Sequence, residues 1–232
     1  YVVQNGEVVI IDRSTGYAKP GSRWKNFIHE MLEIKHGLPM KDSSVSTALI
    51  TQNSFFNKYN RITGLTGTLG SEADQELLVR TYHTKVFYMP RHLPSKQEAE
   101  YHEFPGNVGV IFGQVLTEVM EKQEQGRPVL VIMPTNNLVD VFCAACFPTA
   151  KKITGVDIEG DRKAIKEAGR AGAVTIATNA AGRGIDIILD ERAKENGGLH
   201  VIIPFIPTNR RTLGQAMGRS ARQGQPGSVS VY

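Results

Sequence analysis

The feature that most constrains this 232-residue chain is the alternation, from about Lys85 onward, of short Val- and Ile-rich runs with amphipathic segments. The runs predict strands at residues 86–89, 129–133, 152–154, 173–177, 199–203 and 228–232. Helices are predicted between them at 108–125, 136–147, 161–171 and 209–217. Strands that are apolar along their whole length are typical of a parallel sheet buried on both faces. The pattern therefore predicts an α/β fold, with ligands expected beyond the carboxyl ends of the strands.

The amino-terminal part follows a different pattern and lacks enough strands for a complete sheet. Hairpin and helical signals occur there at residues 1–12, 24–36, 46–59 and from Ser71 onward. The hairpin is predicted from Asn5-Gly6, because this dipeptide accepts the positive φ angles of a two-residue turn. We expect residues 1–90 to be the end of a domain that begins outside this chain, and residues 91–232 to form a second domain. A linker between them is indicated by Pro90, Pro94 and Pro105.

Composition excludes several protein classes. Apolar residues make up 41% of the chain and charged residues 22%, which is ordinary for a globular protein and excludes a disordered or collagen-like chain. Two cysteines are too few for a disulfide framework. No apolar run reaches the roughly 18–20 residues that cross a bilayer, and no signal peptide is recognisable. The two cysteines, Cys143 and Cys146, lie in an apolar helical run and are predicted to be buried thiols.

The net charge of +4 is mild, but its distribution is informative. Residues 210–232 contain no acidic residue and four basic ones, all arginine: Arg210, Arg211, Arg219 and Arg222. Guanidinium groups bind phosphate oxygens in pairs, so an all-arginine surplus favours a phosphate-bearing partner. The alternative is a solvated basic end, which would be expected to contain lysine as well.

Two segments carry residues suited to phosphate chemistry. The predicted strand 173–177 leads into a turn with Gly182, Arg183, Gly184 and Asp186, where glycines allow a ligand close to the backbone. The alternative for this turn is a surface Arg–Asp pair. Further on, Arg219 and Arg222 are three residues apart, so they share a face if the helix continues through them. Two such groups can stabilise charge that develops on a γ-phosphate. The alternative is that both arginines form ion pairs on the surface.

These segments, taken together, resemble a known family. The sequences A-T-N-A-A-G-R-G-I-D (177–186), G-G-L-H-V-I (197–202), R-R (210–211) and G-R-S-A-R-Q-G-Q-P-G-S (218–228) resemble the second nucleotide-binding domain of SecA, the ATPase motor of bacterial preprotein translocation. Upstream, residues 1–16 resemble the segment that returns from SecA's preprotein-crosslinking domain. Residues 20–24 and 63–68 resemble the end of its first nucleotide-binding domain. The resemblance covers nearly the full length in the family's order.

The resemblance implies a two-lobed, helicase-type motor with ATP between two RecA-like lobes. This chain would supply the second lobe, preceded by an incomplete hairpin and helical segment of the first. Nucleotide-facing roles fall on the family's fifth motif at Gly182, Arg183, Gly184 and Asp186. The sixth motif would supply Gln215, Arg219 and Arg222 as catalytic residues, with Gln223 also binding nucleotide. Its third motif, which links hydrolysis to lobe movement, falls on Thr66, Gly67 and Thr68.

The same resemblance implies that the complete motor binds ATP or ADP with Mg²⁺, and that this chain has no metal site of its own. It also implies a cytoplasmic protein that can lie against a membrane. The partners it implies are the missing first lobe, an unfolded polypeptide and a membrane translocon, and not nucleic acid. The chain departs from the family at Met217, where Arg is usual, at Ala221, where Gly is usual, and at Gln225, where Asp is usual.

The other half of an ATP site is not found in this sequence. A P-loop needs G-x-x-x-x-G-K-[ST], and residues 16–22 lack the lysine. Residues 187–191 imitate an apolar strand with an acidic end, but they follow the glycine turn so closely that a solvated edge loop is predicted. We expect the chain by itself to bind nucleotide weakly and not to hydrolyse it. Two alternatives stay open: a lobe of a nucleic-acid helicase, and a non-hydrolysing interaction module.

Overall fold

The computed structural model describes residues 1–11, 18–41, 48–103, 106–178 and 186–232. Its first element is a small antiparallel sheet of β1 (Val2–Gln4), β2 (Glu7–Ile11) and β3 (Ala18–Lys19). The β1–β2 turn is made by Asn5 and Gly6, whose φ angles are +53° and +74°. The predicted hairpin is therefore confirmed, because both turn residues adopt the left-handed backbone that an Asn-Gly turn requires.

Three helices follow this small sheet: α1 (Ile28–Lys35), α2 (Gln52–Phe56) and α3 (Glu72–Tyr82). Helix α1 is shorter than predicted because Asn26 and Phe27 have positive φ angles of +59° and +62°, which a right-handed helix cannot contain. Helix α2 is also much shorter than the predicted 46–59, part of which lies outside the described residues. Helix α3 begins as predicted, since the Ser71 hydroxyl accepts from the Asp74 amide and the Asp74 carboxylate accepts from the Ser71 amide.

The remainder of the chain builds a six-stranded sheet in which every pair of neighbours is parallel. Its strands are β4 (Lys96–Tyr101), β5 (Val129–Met133), β6 (Lys151–Ile153), β7 (Val174–Thr178), β8 (Leu199–Ile203) and β9 (Pro226–Val231), in the order β4-β9-β8-β5-β7-β6. The connecting helices are α4 (Val108–Glu124), α5 (Asn136–Ala145), α6 (Ile158–Glu167), α7 (Glu191–Glu195) and α8 (Arg210–Met217).

Helices cover both faces of this sheet. Along β5, Val129, Val131 and Met133 pack with α4 and α5, whereas Leu130 and Ile132 pack in the cluster that α6, α7 and α8 enter. Alternate residues of a strand point to opposite faces, so a strand buried on both sides must be apolar throughout. The predicted α/β class, with a parallel sheet covered by helices on both faces, is confirmed.

Three sequence predictions about this region were wrong. Residues 86–89 form no strand, and Phe87, Tyr88 and Met89 are strongly exposed because no described strand lies beside them. The strand is instead β4, within the predicted linker. Among the described strands it pairs with β9 alone, and as an edge strand it tolerates its charged sequence K-Q-E-A-E-Y. Helix α6 starts earlier than predicted because the Asp157 side chain caps it through the Gly160 amide.

Candidate functional site

The two arginines of the predicted site lie on one loop, residues 218–225, called here the arginine loop. Helix α8 begins after Asn209, whose side chain accepts from the Thr212 amide, and ends at Met217. The helix leaves the carboxyl end of β8 and returns the chain to the opposite end of the sheet, where β9 begins. The arginine loop therefore lies at the amino ends of β8 and β9, whereas ligands of a parallel sheet are expected beyond the carboxyl ends of its strands.

Arg219 and Arg222 do not share a helical face, because α8 ends at Met217 and does not continue through them. The expectation of a shared face was wrong. Ala221 and Gln223 have φ angles of +53° and +54°, so the helical path is broken between and after the arginines. Arg219 consequently turns inward and is 8% exposed. The Arg222 side chain is 35% exposed and is the more accessible of the two.

The Arg222 guanidinium joins the arginine loop to the end of the glycine turn. Its Nη1 donates to Asp186 Oδ1 at 2.8 Å, and its Nε donates to the Gly218 carbonyl at 2.9 Å. The structure thus brings together two candidate residues that are 36 positions apart in sequence. The candidates Gly182, Arg183 and Gly184 lie outside the described residues.

The arginine loop is held against the strands beneath it. The Ser220 hydroxyl donates to the Leu199 carbonyl at 3.0 Å, and Ser220 is 3% exposed. The loop crosses the sheet at Gly227, where a Cβ atom would lie 2.3 Å from Ser220 Oγ and 2.6 Å from the Ala221 nitrogen. Only glycine fits at this crossing, because either contact is far shorter than van der Waals distance.

The two other candidates of the sixth motif lie on α8 and in the arginine loop. Gln215 is partly buried on α8, and Gln223 is exposed in the loop with a left-handed backbone. Their nucleotide-binding roles stay predictions, as do the phosphate contacts of both arginines.

The third-motif candidates lie beside α8. The Thr66 hydroxyl donates to the Thr68 carbonyl and accepts from the Thr68 amide, which closes a tight turn. A Cβ atom on Gly214 of α8 would lie 3.1 Å from Thr68 Cγ2. The segment that precedes α3 therefore packs on the helix that carries the arginine loop.

The electrostatics of this packing are favourable. Hydrogen bonds from the Ser71 amide and hydroxyl lower the pKa of Asp74, and Arg211 of α8 lowers it further.

A buried polar cluster that sequence reasoning missed lies on the opposite face of the sheet. His200 Nε2 is 3.0 Å from Glu118 Oε1, and His200 Nδ1 is 2.7 Å from Ser228 Oγ. Ser230 and Tyr232 also donate to the Glu118 carboxylate, and Arg127 donates to Ser228. His200 is thus a buried core residue whose two ring nitrogens both have partners. The sequence did carry a signal for this cluster, because His200 in β8 and Ser228 and Ser230 in β9 are polar residues within otherwise apolar strands.

Burial alone would raise the pKa of Glu118, but the bonds from His200, Ser230 and Tyr232 outweigh it and hold the pKa at about 2. Burial lowers the pKa of His200, although Glu118 acts in the opposite direction. A neutral imidazole that donates from Nε2 to Glu118 and accepts at Nδ1 from Ser228 satisfies both contacts. The cluster is therefore internally satisfied and has no group aimed at a ligand.

Other predicted features have structural roles. Residues 186–190 form a connection without regular structure, but Leu189 is buried and the Asp190 carboxylate accepts from the Ala193 and Ala171 amides, so the loop is less solvated than predicted. Cys143 is buried, Cys146 is partly exposed, and burial raises the pKa of both thiols. Across the described ranges, no cluster of three or more His, Cys, Asp or Glu side chains could hold a metal. None of the described helices combines the length and apolarity needed to cross a membrane.

Comparison with known proteins agrees with the resemblance in sequence. Residues 108–196 match the SecA P-loop domain family, and residues 1–33 match the SecA preprotein cross-linking domain family. Over its whole length the chain is 34% identical to protein translocase subunit SecA of Desulfotalea psychrophila and 36% identical to that of Halothermothrix orenii, and it covers 27% and 28% of those proteins. The chain thus spans about a quarter of the length of these relatives.

Among solved structures, the chain is similar to the DEAD-box protein SrmB of E. coli, with 20% identity and a TM-score of 0.43 over 61% of this chain and 78% of that one. The similarity to the SecA proteins extends over all residues of the chain. The chain therefore belongs to the SecA family.

Proposed function

We propose that this chain supplies the arginine-bearing half of an interlobe ATP site in a SecA-type protein-translocation motor. The observation that carries the proposal is the 2.8 Å contact between Arg222 and Asp186, which joins the family's fifth and sixth motifs in one place. Their convergence is expected if both motifs face the same nucleotide. A solvated basic end would leave the arginines apart from the glycine turn.

The chemistry assigned to the site is stabilisation of phosphate charge. Arg222 and Arg219 would neutralise negative charge that develops on the γ-phosphate oxygens, as arginine fingers do. Because Arg222 is bound to Asp186, it would exchange this carboxylate for a phosphate oxygen when nucleotide arrives. Guanidinium donors fit phosphate oxygens, whereas the Mg²⁺ that accompanies ATP is assigned to the complete motor and not to this chain.

We propose a domain boundary near residue 90, with residues 1–90 completing a first lobe and residues 91–232 forming the second. Burial supports this division. Of the described residues before Lys96, only Val8 and Val9 are buried apolar side chains. Large apolar groups such as Phe27, Met31 and Leu65 are exposed there, as expected for a segment whose core is completed by other parts of the protein.

The test uses the full-length protein that contains this chain. Arg222→Ala is expected to lower kcat for ATP hydrolysis about 10³-fold, with a smaller change in KM, because a finger acts on the transition state. Arg162→Ala, which removes an exposed arginine on α6, is the matched control and should retain full turnover. Unchanged turnover in both Arg219→Ala and Arg222→Ala would overturn the assignment.

The substrate class is tested separately. An unfolded preprotein is expected to stimulate ATP hydrolysis by the full-length protein, and single-stranded RNA is not. Stimulation by RNA alone would replace the translocation proposal with the helicase alternative. Absence of any ATP hydrolysis, together with a degraded P-loop upstream, would favour a non-hydrolysing module.

A further inference from the structure

The side chain of Gln97 on edge strand β4 reaches the arginine loop. In the sheet register, Gln97 lies beside Gly227 of β9, and Gly227 lies beside Leu199 of β8. The arginine loop crosses this row of three residues, since Gly227 has no side chain to exclude it. Gln97 and Leu199 therefore flank the crossing from opposite sides.

Gln97 binds the backbone on both sides of Arg219. Its Nε2 donates to the Met217 carbonyl at 2.6 Å and lies 3.4 Å from the Ser220 carbonyl. Both acceptors are carbonyl oxygens, so the amide nitrogen and not the amide oxygen must face them. Met217 ends α8, and the last carbonyls of a helix have no partner within the helix. The Met217 carbonyl accepts from the Ser220 amide at 3.1 Å in the turn that follows the helix, and Gln97 supplies its second hydrogen bond.

The second anchor of the loop comes from the other side of the crossing. Ser220 donates from its hydroxyl to Leu199 while its carbonyl faces Gln97, so one residue is bound to both neighbouring strands. Tyr101, four residues along β4 and on the same face, donates from its hydroxyl to the Met217 sulfur at 3.7 Å. The backbone on either side of Arg219 is thus fixed by strands and does not depend on the helix alone.

We propose that Gln97 is a positioning residue for Arg219. This inference rests on the proposed function of the arginine loop and adds a residue outside all of its motifs. Preorganised donors stabilise a transition state only if they are already in place, and a displacement of about 1 Å can lower a rate about 100-fold. The left-handed residues Ala221 and Gln223 make the loop's path unusual, so external anchors are needed to maintain it.

The experiment measures ATP hydrolysis by the full-length protein carrying Gln97→Glu or Gln97→Leu. The Glu variant keeps the shape of the side chain but replaces the donor with an oxygen that repels both carbonyls. Each variant is expected to lower kcat about tenfold and to change KM for ATP less than twofold. Gln123→Leu removes a comparable amide bond, from Gln123 to the Gly172 carbonyl on the far side of the lobe, and should leave both constants unchanged.

A double variant separates positioning from a general loss of structure. If Gln97 acts through Arg219, then Gln97→Glu should lower kcat by less than twofold in an Arg219→Ala background. A full additional tenfold loss would overturn the inference, because it would show an independent effect of Gln97. Wild-type kcat in both Gln97 variants would also overturn it. If Arg219→Ala and Arg222→Ala themselves retain wild-type turnover, the proposed function fails first, and the two failures are thereby distinguishable.

Discussion

Ala221 occupies a backbone conformation that alanine rarely adopts. Its φ angle is +53°, in the left-handed region where a Cβ atom collides with the following carbonyl. The SecA family usually has glycine here, and the structure gives the reason. Ala221→Gly is therefore expected to raise the free energy of unfolding by about 1 kcal/mol, measured by urea denaturation.

The matched control for Ala221→Gly is the same substitution in a helix. Ala144 lies exposed within α5, where glycine should lower the free energy of unfolding by about 0.5–1 kcal/mol. The change in the free energy of unfolding is expected to have opposite signs at the two positions. Destabilisation at both would show that the left-handed strain at Ala221 is not present in solution.

Glu118 should make the stability of the protein depend on pH. Its pKa is about 2 in the folded state and 4.5 is its ordinary value, so the unfolded chain takes up the proton first as the pH falls. The contribution of the carboxylate is complete above about pH 4.5 and is lost between that pH and about 2. Glu118→Gln is expected to cost about 2–3 kcal/mol at pH 7, and the difference from wild type should shrink across that window.

Denaturation at a series of pH values measures this effect. Glu121→Gln, on the same helix but exposed, is the control and should differ little from wild type at any pH. If the difference in unfolding free energy between wild type and Glu118→Gln stays constant down to pH 2, the lowered pKa of Glu118 is contradicted.

At the scale of elements, the crossing of the arginine loop over β9 depends on Gly227. Gly227→Ala would place a methyl group within 2.6 Å of the Ala221 nitrogen, so the loop or the strand must move. We expect a loss of about 1–3 kcal/mol in unfolding free energy, as in other overpacked sites. Gly113→Ala is the control, because a Cβ atom there meets nothing within 4 Å and the residue lies exposed within α4. That variant should be neutral or more stable.

Some strands could be predicted from the sequence and others could not, for physical reasons. Strands β5, β7 and β8 were predictable because both of their faces are buried, which requires continuous apolar sequence. Strand β4 was not, because an edge strand needs apolar residues on neither side and its sequence is mostly charged and polar. The exposed apolar run at 86–89 produced the opposite error, since hydrophobicity alone does not supply a neighbouring strand.

The candidate site was predictable in its residues but not in its geometry. The segments with Asp186 and Arg222 were identified, and the structure brings these two side chains together. The shared helical face of Arg219 and Arg222 was wrong, because non-glycine residues at positive φ leave no signal in sequence. Gln97 was missed for a related reason: a glutamine in a charged stretch gives no indication that it reaches a helix end 120 residues away.

For the molecule as a whole, the two parts of the chain should differ in autonomy. The six-stranded sheet and both of its covered faces lie within residues 96–231, whereas the described residues before it bury little apolar surface. A polypeptide of residues 91–232 is therefore expected to unfold cooperatively on heating, followed by circular dichroism. Residues 1–90 alone should show no cooperative transition and should bind a hydrophobic dye. A cooperative transition in residues 1–90 would contradict the proposed division.

The ion pair between Arg222 and Asp186 affects which anions the lobe can retain. Because the guanidinium already has a counter-ion, a lone inorganic phosphate must displace a carboxylate to reach it and gains few other contacts in return. In the proposed motor, a triphosphate held by the other lobe would bring many additional contacts and could compete where a simple anion cannot. If the arginine loop binds nucleotide as proposed, this built-in counter-ion would favour delivery of nucleotide by a closing partner over capture of free anions from the surrounding solution.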